Sequence, residues 1–442
     1  MVGSLNKTFL FLGGTLFLLF IPWVESAYLP IYAVNIATFL FYILVINGSF
    51  RLKYFGNKEL VVIVLLYGLL FVSLYNMISY GYRGNFFLFS EVDAGTYDRF
   101  ARTMAGMPFL ESIDYYLLYY GFSDLGAVTI LRTLYLLADS NLLYNFYNLL
   151  IGTATAFVMF RIGRKIMSRE YAFVCSLTFS LSSYMLWFHA SGLKESTMIL
   201  LTVLFYDQLY MYSKTKKKRT ILYAVLIASA FIFYRPAITV FFIGSVGISA
   251  IFTRIKGYKK VVLIITIALL TVISFAFIEE IFNRFLMGGD IKLLIATKIA
   301  TGMVIGSIPL TYSVNIIAQL MGPLPTIIST ETYLSFFSSG LIFRVLIAFP
   351  FWVGAFYIVK RRNEYLYPLL IFIFLEMFSL ALILEGLELR KSMIHLPLVY
   401  LIAFWFMNLY KIGLIRKKLI VKIGFSIYSI ATLFFLIIWN FR

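Results

Sequence analysis

Residues 59–80 read ELVVIVLLYGLLFVSLYNMISY, an apolar run whose only charged residue, Glu59, stands at its start. A helix needs about 20 mostly apolar residues to cross the hydrocarbon core of a bilayer, and this run is long enough. Similar runs recur from one end of the chain to the other. The sequence therefore predicts an all-α fold, a polytopic bundle of transmembrane helices.

The composition of the whole chain agrees with this prediction. Of its 442 residues, 62% are hydrophobic, 19% aromatic and 13% charged, whereas an ordinary globular domain is roughly 45–50% apolar and about 25% charged. This composition excludes a soluble enzyme, a disordered regulator and a disulfide-stapled secreted domain. The single cysteine, Cys175, lies inside an apolar run, so neither a disulfide nor a cysteine-ligated metal site is expected.

The apolar runs predict about 13 spans by hydropathy. Their boundaries are 8–23, 29–48, 59–80, 143–161, 171–188, 195–213, 220–236, 237–253, 261–278, 339–359, 365–384, 393–410 and 419–440.

Three units follow from this pattern. Residues 1–58 form an N-terminal transmembrane pair, 59–240 a catalytic-type transmembrane module, and 241–442 a C-terminal transmembrane module. The second unit contains a long connection, 81–142, and the third contains another, 279–338. Long connections are usually functional. Both are predicted to form amphipathic helices that lie along the membrane surface.

The basic residues indicate the orientation of the chain. With the N-terminus in the cytoplasm, most of the 38 lysine and arginine residues fall in cytoplasmic connections, which hold only the acids Glu59, Glu170 and Glu364. This is the positive-inside pattern. The net charge of +18 is therefore interpreted as a topology signal, membrane lipids are the expected surroundings, and nucleic acid is not an expected partner. Both long connections face outward, so we expect the function there.

The first charged motif follows the quoted apolar run and reads SEVDAGTYDRFAR over residues 90–102. Ser90 and Asp93 have the spacing of a helix-capping box, and Asp98 and Arg102 have the i,i+4 spacing of a helical ion pair. These are structural interpretations. A functional interpretation rests on the density of carboxylates at a membrane surface, in a chain that has only 20 acidic residues.

The second charged motif reads WFHASGLKES over residues 187–196, in a very short outer turn between two spans. Structurally, Lys194 would extend to the interface and Glu195 would favour the start of the next helix. Charges at this depth are costly, however, and frequently functional. Both interpretations stay open.

Other charged side chains lie at or within the predicted spans. A set of cations near their outer ends would anchor helices at the interface or bind a phosphate, which Arg recognises with a planar fork of donors; it comprises Arg235, Arg344, Arg390 and Lys391. Glu376 lies within a span, where it would pair with a cation from another helix or belong to a proton path. Asp207 lies closer to a cytoplasmic end and would reach the interface.

The two histidines, His189 and His395, lie far apart in the chain and give no metal-ligand spacing. Carboxylates would still be able to hold Mg²⁺ or Mn²⁺. Whether a divalent cation is bound stays open.

This order of features resembles the polytopic glycosyltransferases of the C type, a group that includes protein O-mannosyltransferases, aminoarabinose transferases and bacterial envelope transferases. The resemblance rests on Asp93-Ala-Gly-Thr-Tyr97-Asp-Arg-Phe-Ala101, on Gly192-Leu-Lys-Glu195, on the stretch 148–164, and on Arg390 followed by Pro397. It covers about residues 59–240. Three spans precede the acidic connection, where many members have one, which leaves room for a relative of the O-antigen polymerases.

The resemblance implies transfer of a sugar, with inversion, from a polyprenyl phosphate or diphosphate to a glycan or lipid acceptor outside the cytoplasm, in the inner (plasma) membrane of a bacterium. Asp93 is then the expected catalytic base and Glu195 the second acid. The expected ligands of the donor phosphate are Lys194, Arg235 and Arg390, with Arg99 and Arg102 as alternatives. Residues expected to orient the acceptor are Glu91, Tyr97 and His189. A repeat-unit polymerase and a flippase for lipid-linked sugars remain alternatives.

Overall fold

The computed structural model describes residues 2–20, 29–51, 56–88, 90–253, 296, 308–321, 332–382, 389–415 and 418–440. Within these ranges every regular element is helical, which confirms the predicted all-α class. The helices are α1 (Val2–Phe20), α2 (Leu29–Arg51), α3 (Asn57–Arg83), α4 (Glu91–Ala105), α5 (Phe109–Tyr120), α6 (Leu125–Tyr135), α7 (Leu142–Ile166), α8 (Arg169–Ser180), α9 (Ser183–Ala190), α10 (Glu195–Thr215), α11 (Lys218–Ala230), α12 (Pro236–Thr253), α13 (Ile308–Met321), α14 (Thr332–Arg361), α15 (Tyr367–Leu382), α16 (Leu389–Ser392), α17 (Leu396–Lys411) and α18 (Lys418–Asn440).

Several of these helices are long and apolar enough to span a membrane. Among the described residues, four meet this requirement singly, namely α3, α7, α14 and α18. Shorter apolar helices, including α2, α12, α15 and α17, accompany them. The predicted number of about 13 spans is not confirmed. The predicted span 261–278 and the surface helix 291–306 lie outside the described residues, apart from Ala296.

The predicted span 171–188 is interrupted. The chain bends by 50° between α8 and α9, so this segment is either one broken span or a re-entrant pair. The break lies at Ser182, whose backbone is extended (φ −64°, ψ 143°) where a helix would need ψ near −42°. Counted as one span, the pair is the fifth segment of spanning length among the described residues.

The centre of the bundle consists of helices that are buried on all sides. Every residue from Leu396 to Leu409 on α17 is buried, and so are all residues of α9. A helix that is apolar all round belongs in an interior. Around this centre, α14 packs against α17, α2 and α9, while α7 packs against α3, α8 and α10.

One outer face of the bundle, on helix α18, is apolar and exposed. On α18, Ile423, Ile427, Ile430 and Phe434 are between 50% and 70% exposed. They recur at helical spacing along one face, opposite buried residues such as Phe425 and Leu436. A contiguous exposed apolar face of this kind is unusual for a soluble monomer, and it agrees with a membrane protein.

Two buried acids in the bundle have cationic or proton-bearing partners that the sequence did not indicate. Asp207 on α10 is 1% exposed and forms ion pairs with Arg161 and with Lys165, the latter at 2.7 Å. The carboxylate of Asp207 is therefore buried inside the protein, whereas the sequence had suggested that it extends to the interface. Glu376 on α15 lies 3.1 Å from Nδ1 of His395, and both side chains are buried.

Gly152 on α7 allows α9 to approach closely. A Cβ at this position would lie 2.2 Å from Nε2 of His189. The imidazole is buried, and its Nδ1 lies 2.8 Å from the Ser196 hydroxyl. Gly152 thus leaves the space that places His189 beside the start of α10.

We expect Gly152→Ala to lower the stability of the bundle by about 1–3 kcal/mol, the usual cost of overpacking a close-packed interior. The measurement is the unfolding midpoint of the purified protein in detergent. Gly247→Ala is the matched control, because it is another helical glycine with nothing within 4 Å of an added Cβ. Since alanine favours helix over glycine, the control should unfold at or above the wild-type temperature. Equal midpoints for the two variants would contradict the packing argument.

Candidate functional site

Helix α4 carries the acidic motif and starts at Glu91, six residues before the predicted 97–107. Ser90 precedes it but makes no capping hydrogen bond through its side chain, so the capping-box interpretation is wrong. The predicted pair of Asp98 and Arg102 is confirmed at 2.9 Å. With capping excluded, the contacts of Asp93 show what that carboxylate does.

Asp93 forms an ion pair with Arg390, which lies on the short helix α16. Both side chains are about one third exposed, at 35% and 33%. Burial lowers the pKa of Arg390 from its usual value, although a guanidinium stays charged at neutral pH. This contact brings the acidic motif near residue 93 together with a cation almost 300 residues away in the chain.

The turn before α10 packs directly on α4. Gly192 adopts the left-handed backbone conformation, with φ of +71°, which glycine tolerates at low cost. A Cβ on Gly192 would lie 3.3 Å from that of Ala94, so the two backbones approach closely here. The second motif therefore lies against the first, next to Asp93.

Lys194, at the end of this turn, is directed into the protein. Its side chain is 8% exposed and forms an ion pair with Asp124 Oδ1, and its ammonium also donates to the Tyr234 carbonyl at 3.2 Å. The expectation that Lys194 extends to the interface is therefore wrong. The other oxygen of Asp124 accepts a hydrogen bond from the Tyr97 hydroxyl at 3.1 Å.

Asp124 is a site residue that the sequence analysis missed. It precedes α6 with φ of +67°, in the left-handed region that Asp enters more readily than most residues. The only local signal is an acid just before a helix, which is typical of an ordinary N-cap. Its side chain makes no capping bond, however. The carboxylate instead pairs with Lys194 and accepts a hydrogen bond from the Tyr97 hydroxyl.

The remaining charges act on Lys194 and Tyr97 from nearby. The pKa of Lys194 is lowered to about 7, mainly by burial. Arg235 and Lys391 contribute to this lowering, whereas Glu195 opposes it by favouring the charged form. The carboxylate of Asp124 also favours that charged form. Burial raises the pKa of Tyr97 well above 10, the charge of Glu195 raises it further, and Arg235 opposes this.

These residues form one group, which we call the charged cluster. It gathers side chains from α4, from the starts of α6 and α10, from the chain before α12, and from α16. Its members are Asp93, Tyr97, Asp124, Lys194, Glu195, Arg235, Arg390 and Lys391. Glu195, at 1% exposed, is the most deeply buried of its acids.

Four residues named from the sequence have other contacts. Glu91 lies 3.9 Å from Arg83, and Arg102 pairs with Asp98 and Asp139 on an exposed face of α4. Arg99 is exposed and lies over the Phe100 ring, and His189 is held by Ser196. These contacts are all with residues outside the charged cluster.

In the described ranges, no three His, Cys, Asp or Glu side chains lie close enough together to hold a metal ion. Two acids of the charged cluster instead pair with cations, Asp93 with Arg390 and Asp124 with Lys194. Their chemistry in this arrangement is that of ion pairs.

Comparison with known proteins adds no relative. No family model matches the chain, and neither a curated protein nor a solved structure matches it.

Because Lys194 titrates near pH 7 in the folded protein and at its usual value of 10.5 when unfolded, the unfolded chain binds the extra proton between these values. The free energy of unfolding should therefore rise with pH across this window, by up to about 1.4 kcal/mol per pH unit. Lys194→Met should lack this rise. Urea or thermal unfolding at pH 7, 8 and 9 measures it, with the exposed Lys217→Met as the control. A stability difference between wild type and Lys194→Met that is independent of pH would contradict a depressed pKa.

Proposed function

We propose that the chain is an integral-membrane glycosyltransferase that moves a sugar from a polyprenyl phosphate or diphosphate to an acceptor. The observation that carries this proposal is the pairing of a partly exposed acid, Asp93, with Arg390, beside the buried cation Lys194. Sugar transfer from a lipid phosphate needs both kinds of group in one place. The cations bind the phosphate, and the acid receives the proton of the acceptor.

The cations suit an anionic head group. Arg390 presents a planar fork of donors that matches phosphate oxygens, and Lys194 and Arg235 add further positive charge to the charged cluster. In a site of low polarity, such donors stabilise the negative charge that develops on the departing phosphate, which is often the largest contribution to catalysis. Lys194, Arg235 and Arg390 are therefore the proposed donor ligands.

Asp93 and Glu195 differ in exposure, and we assign them different roles on that basis. Asp93, at about one third exposed, is reachable by an acceptor hydroxyl, whereas Glu195 is 1% exposed and suits an orienting role. In the proposed reaction, Asp93 takes the proton as the acceptor oxygen attacks the anomeric carbon. The bond from that carbon to the phosphate oxygen breaks, the phosphate keeps the electron pair, and direct displacement inverts the configuration.

The proposed setting is the inner membrane of a bacterium, with the N-terminus in the cytoplasm. Helices α4, α5 and α6 and the charged cluster would then face outward, and the Asp207 end of α10, with Arg161 and Lys165, would face the cytoplasm. The positive-inside pattern supports this orientation.

We expect Asp114→Cys, on the exposed side of α5, to react with a membrane-impermeant maleimide in intact spheroplasts. Lys217→Cys, in the connection between α10 and α11, should react only after lysis. The native Cys175 is fully buried and contributes little background. Labelling of Lys217→Cys in intact cells would place the charged cluster on the cytoplasmic side and contradict the orientation.

Asp93→Asn removes the proposed base and keeps the shape of the side chain. We expect transfer of a radiolabelled sugar in proteoliposomes to fall by roughly 10² or more, the usual contribution of a general base. Expression and the gel-filtration profile should be unchanged. Asp114→Asn, which removes an equal charge from an exposed position, is the matched control and should transfer normally. Full activity in Asp93→Asn would exclude Asp93 as the base.

The size of the product separates the alternatives. A single added sugar supports the proposal, and a ladder of repeats that vanishes in Asp93→Asn assigns a polymerase. Movement of the donor across the bilayer by the wild type, with no covalent product, would replace the proposal with lipid transport.

A further inference from the structure

We propose that the phosphate head group of a lipid-linked donor binds by exchanging with two carboxylates, displacing Asp93 from Arg390 and Asp124 from Lys194. Asp93 is thereby released to act as a base only when the donor is in place. This inference rests on the proposed function, since it concerns the same site. Its new content is that the site is closed by its own acids before the donor arrives.

The two ion pairs carry this inference. Each of the two best-placed cations already has an internal anion, Asp93 for Arg390 and Asp124 for Lys194. An incoming phosphate must compete with these carboxylates for the same donors. The phosphodiester of a polyprenyl phosphate sugar carries one negative charge, as a carboxylate does, and a diphosphate carries two. Either one forms bidentate bonds with a guanidinium, and its polyprenyl chain adds apolar binding, so a well-placed head group is able to displace the internal carboxylates.

Exposure sets the order of the two exchanges. The Asp93–Arg390 pair is about one third exposed, whereas the Lys194 and Asp124 side chains are 8% and 17% exposed. A head group therefore meets Arg390 first and Lys194 second. The first exchange already frees Asp93.

The second exchange leaves the site intact. Asp124 contacts Lys194 with one oxygen and the Tyr97 hydroxyl with the other. It therefore stays attached to α4 when the Lys194 ammonium exchanges this carboxylate for the phosphate. Lys194 likewise keeps its bond to the Tyr234 carbonyl. Asp124 is accordingly a positioning residue. It holds the Lys194 ammonium in place before the donor binds and is not itself a ligand of the donor.

The exchange couples binding of the donor to the chemistry. A carboxylate that is paired with a guanidinium is a poor proton acceptor, because the positive charge favours its ionised form. When the phosphate takes Arg390, Asp93 loses this partner and its affinity for the acceptor proton rises. The site then binds donor before acceptor.

A binding experiment tests the exchange without relying on sugar transfer. The full chain in nanodiscs is titrated with decaprenyl phosphate and, separately, with decaprenyl diphosphate, neither of which carries a sugar. Asp93→Asn and Asp124→Asn remove an internal competitor, so each should lower Kd about tenfold, the equivalent of roughly 1.4 kcal/mol. Arg390→Gln should raise Kd. The lipid that shows the larger change identifies the number of phosphates in the head group.

Asp139→Asn is the matched control. It removes an equal charge that pairs with Arg102, an exposed cation on α4 that keeps its pair with Asp98 and lies outside the charged cluster. Its Kd should stay within twofold of the wild type. Equal tightening by Asp139→Asn and Asp93→Asn would overturn the proposal, because a general change in charge would then explain both.

The double variant Asp93→Asn/Arg390→Gln decides whether Asp93 competes through Arg390. Once Arg390 is absent, Asp93→Asn should no longer tighten binding. Persistent tightening, or no tightening in either single variant with a normal gel-filtration profile, overturns the exchange even if sugar transfer is observed. Conversely, a wild type that shows the exchange but forms no product would contradict the proposed glycosyl transfer and leave the exchange standing.

Discussion

The ion pair between Lys194 and Asp124 holds the segments of the charged cluster together. An ammonium buried in an apolar bundle costs several kcal/mol unless a counter-charge accompanies it, and Lys194 is 8% exposed. Asp124 supplies that charge from the start of α6, and through Tyr97 it also holds α4. Three segments are thus fixed by one carboxylate. The left-handed backbone of Asp124 costs about 1–3 kcal/mol, which is less than an unpaired ammonium would cost.

The two ends of α10 show how differently a buried charge can be satisfied. Toward one end, the acid Asp207 is 1% exposed and pairs with two cations, Arg161 and Lys165. At the other end, Lys194 pairs with Asp124 and Arg390 pairs with Asp93, and the second of these pairs is partly exposed. The first arrangement is typical of a structural anchor. The second leaves donors that a ligand is able to compete for.

The sequence predicted what depends on local pattern. Apolar runs located most described helices to within a few residues, and the i,i+4 spacing predicted the pair of Asp98 and Arg102. It failed where partners are distant in the chain. Asp124 looked like an ordinary residue before a helix, and Glu376 had no visible partner, because His395 belongs to another part of the chain. The bend at Ser182 was missed because hydropathy does not report backbone angles.

On the proposed function, the ion pairs of the charged cluster also account for selectivity toward a lipid-linked ligand. Internal carboxylates weaken the affinity of the cations for any phosphate, so a small soluble phosphate gains little by displacing them. A polyprenyl chain supplies what the head group lacks, since each methylene buried from water contributes about 0.8 kcal/mol. Only a ligand that brings its own apolar surface would then bind well enough to complete the exchange. The same acids that stabilise the empty bundle would therefore exclude phosphates that carry no lipid.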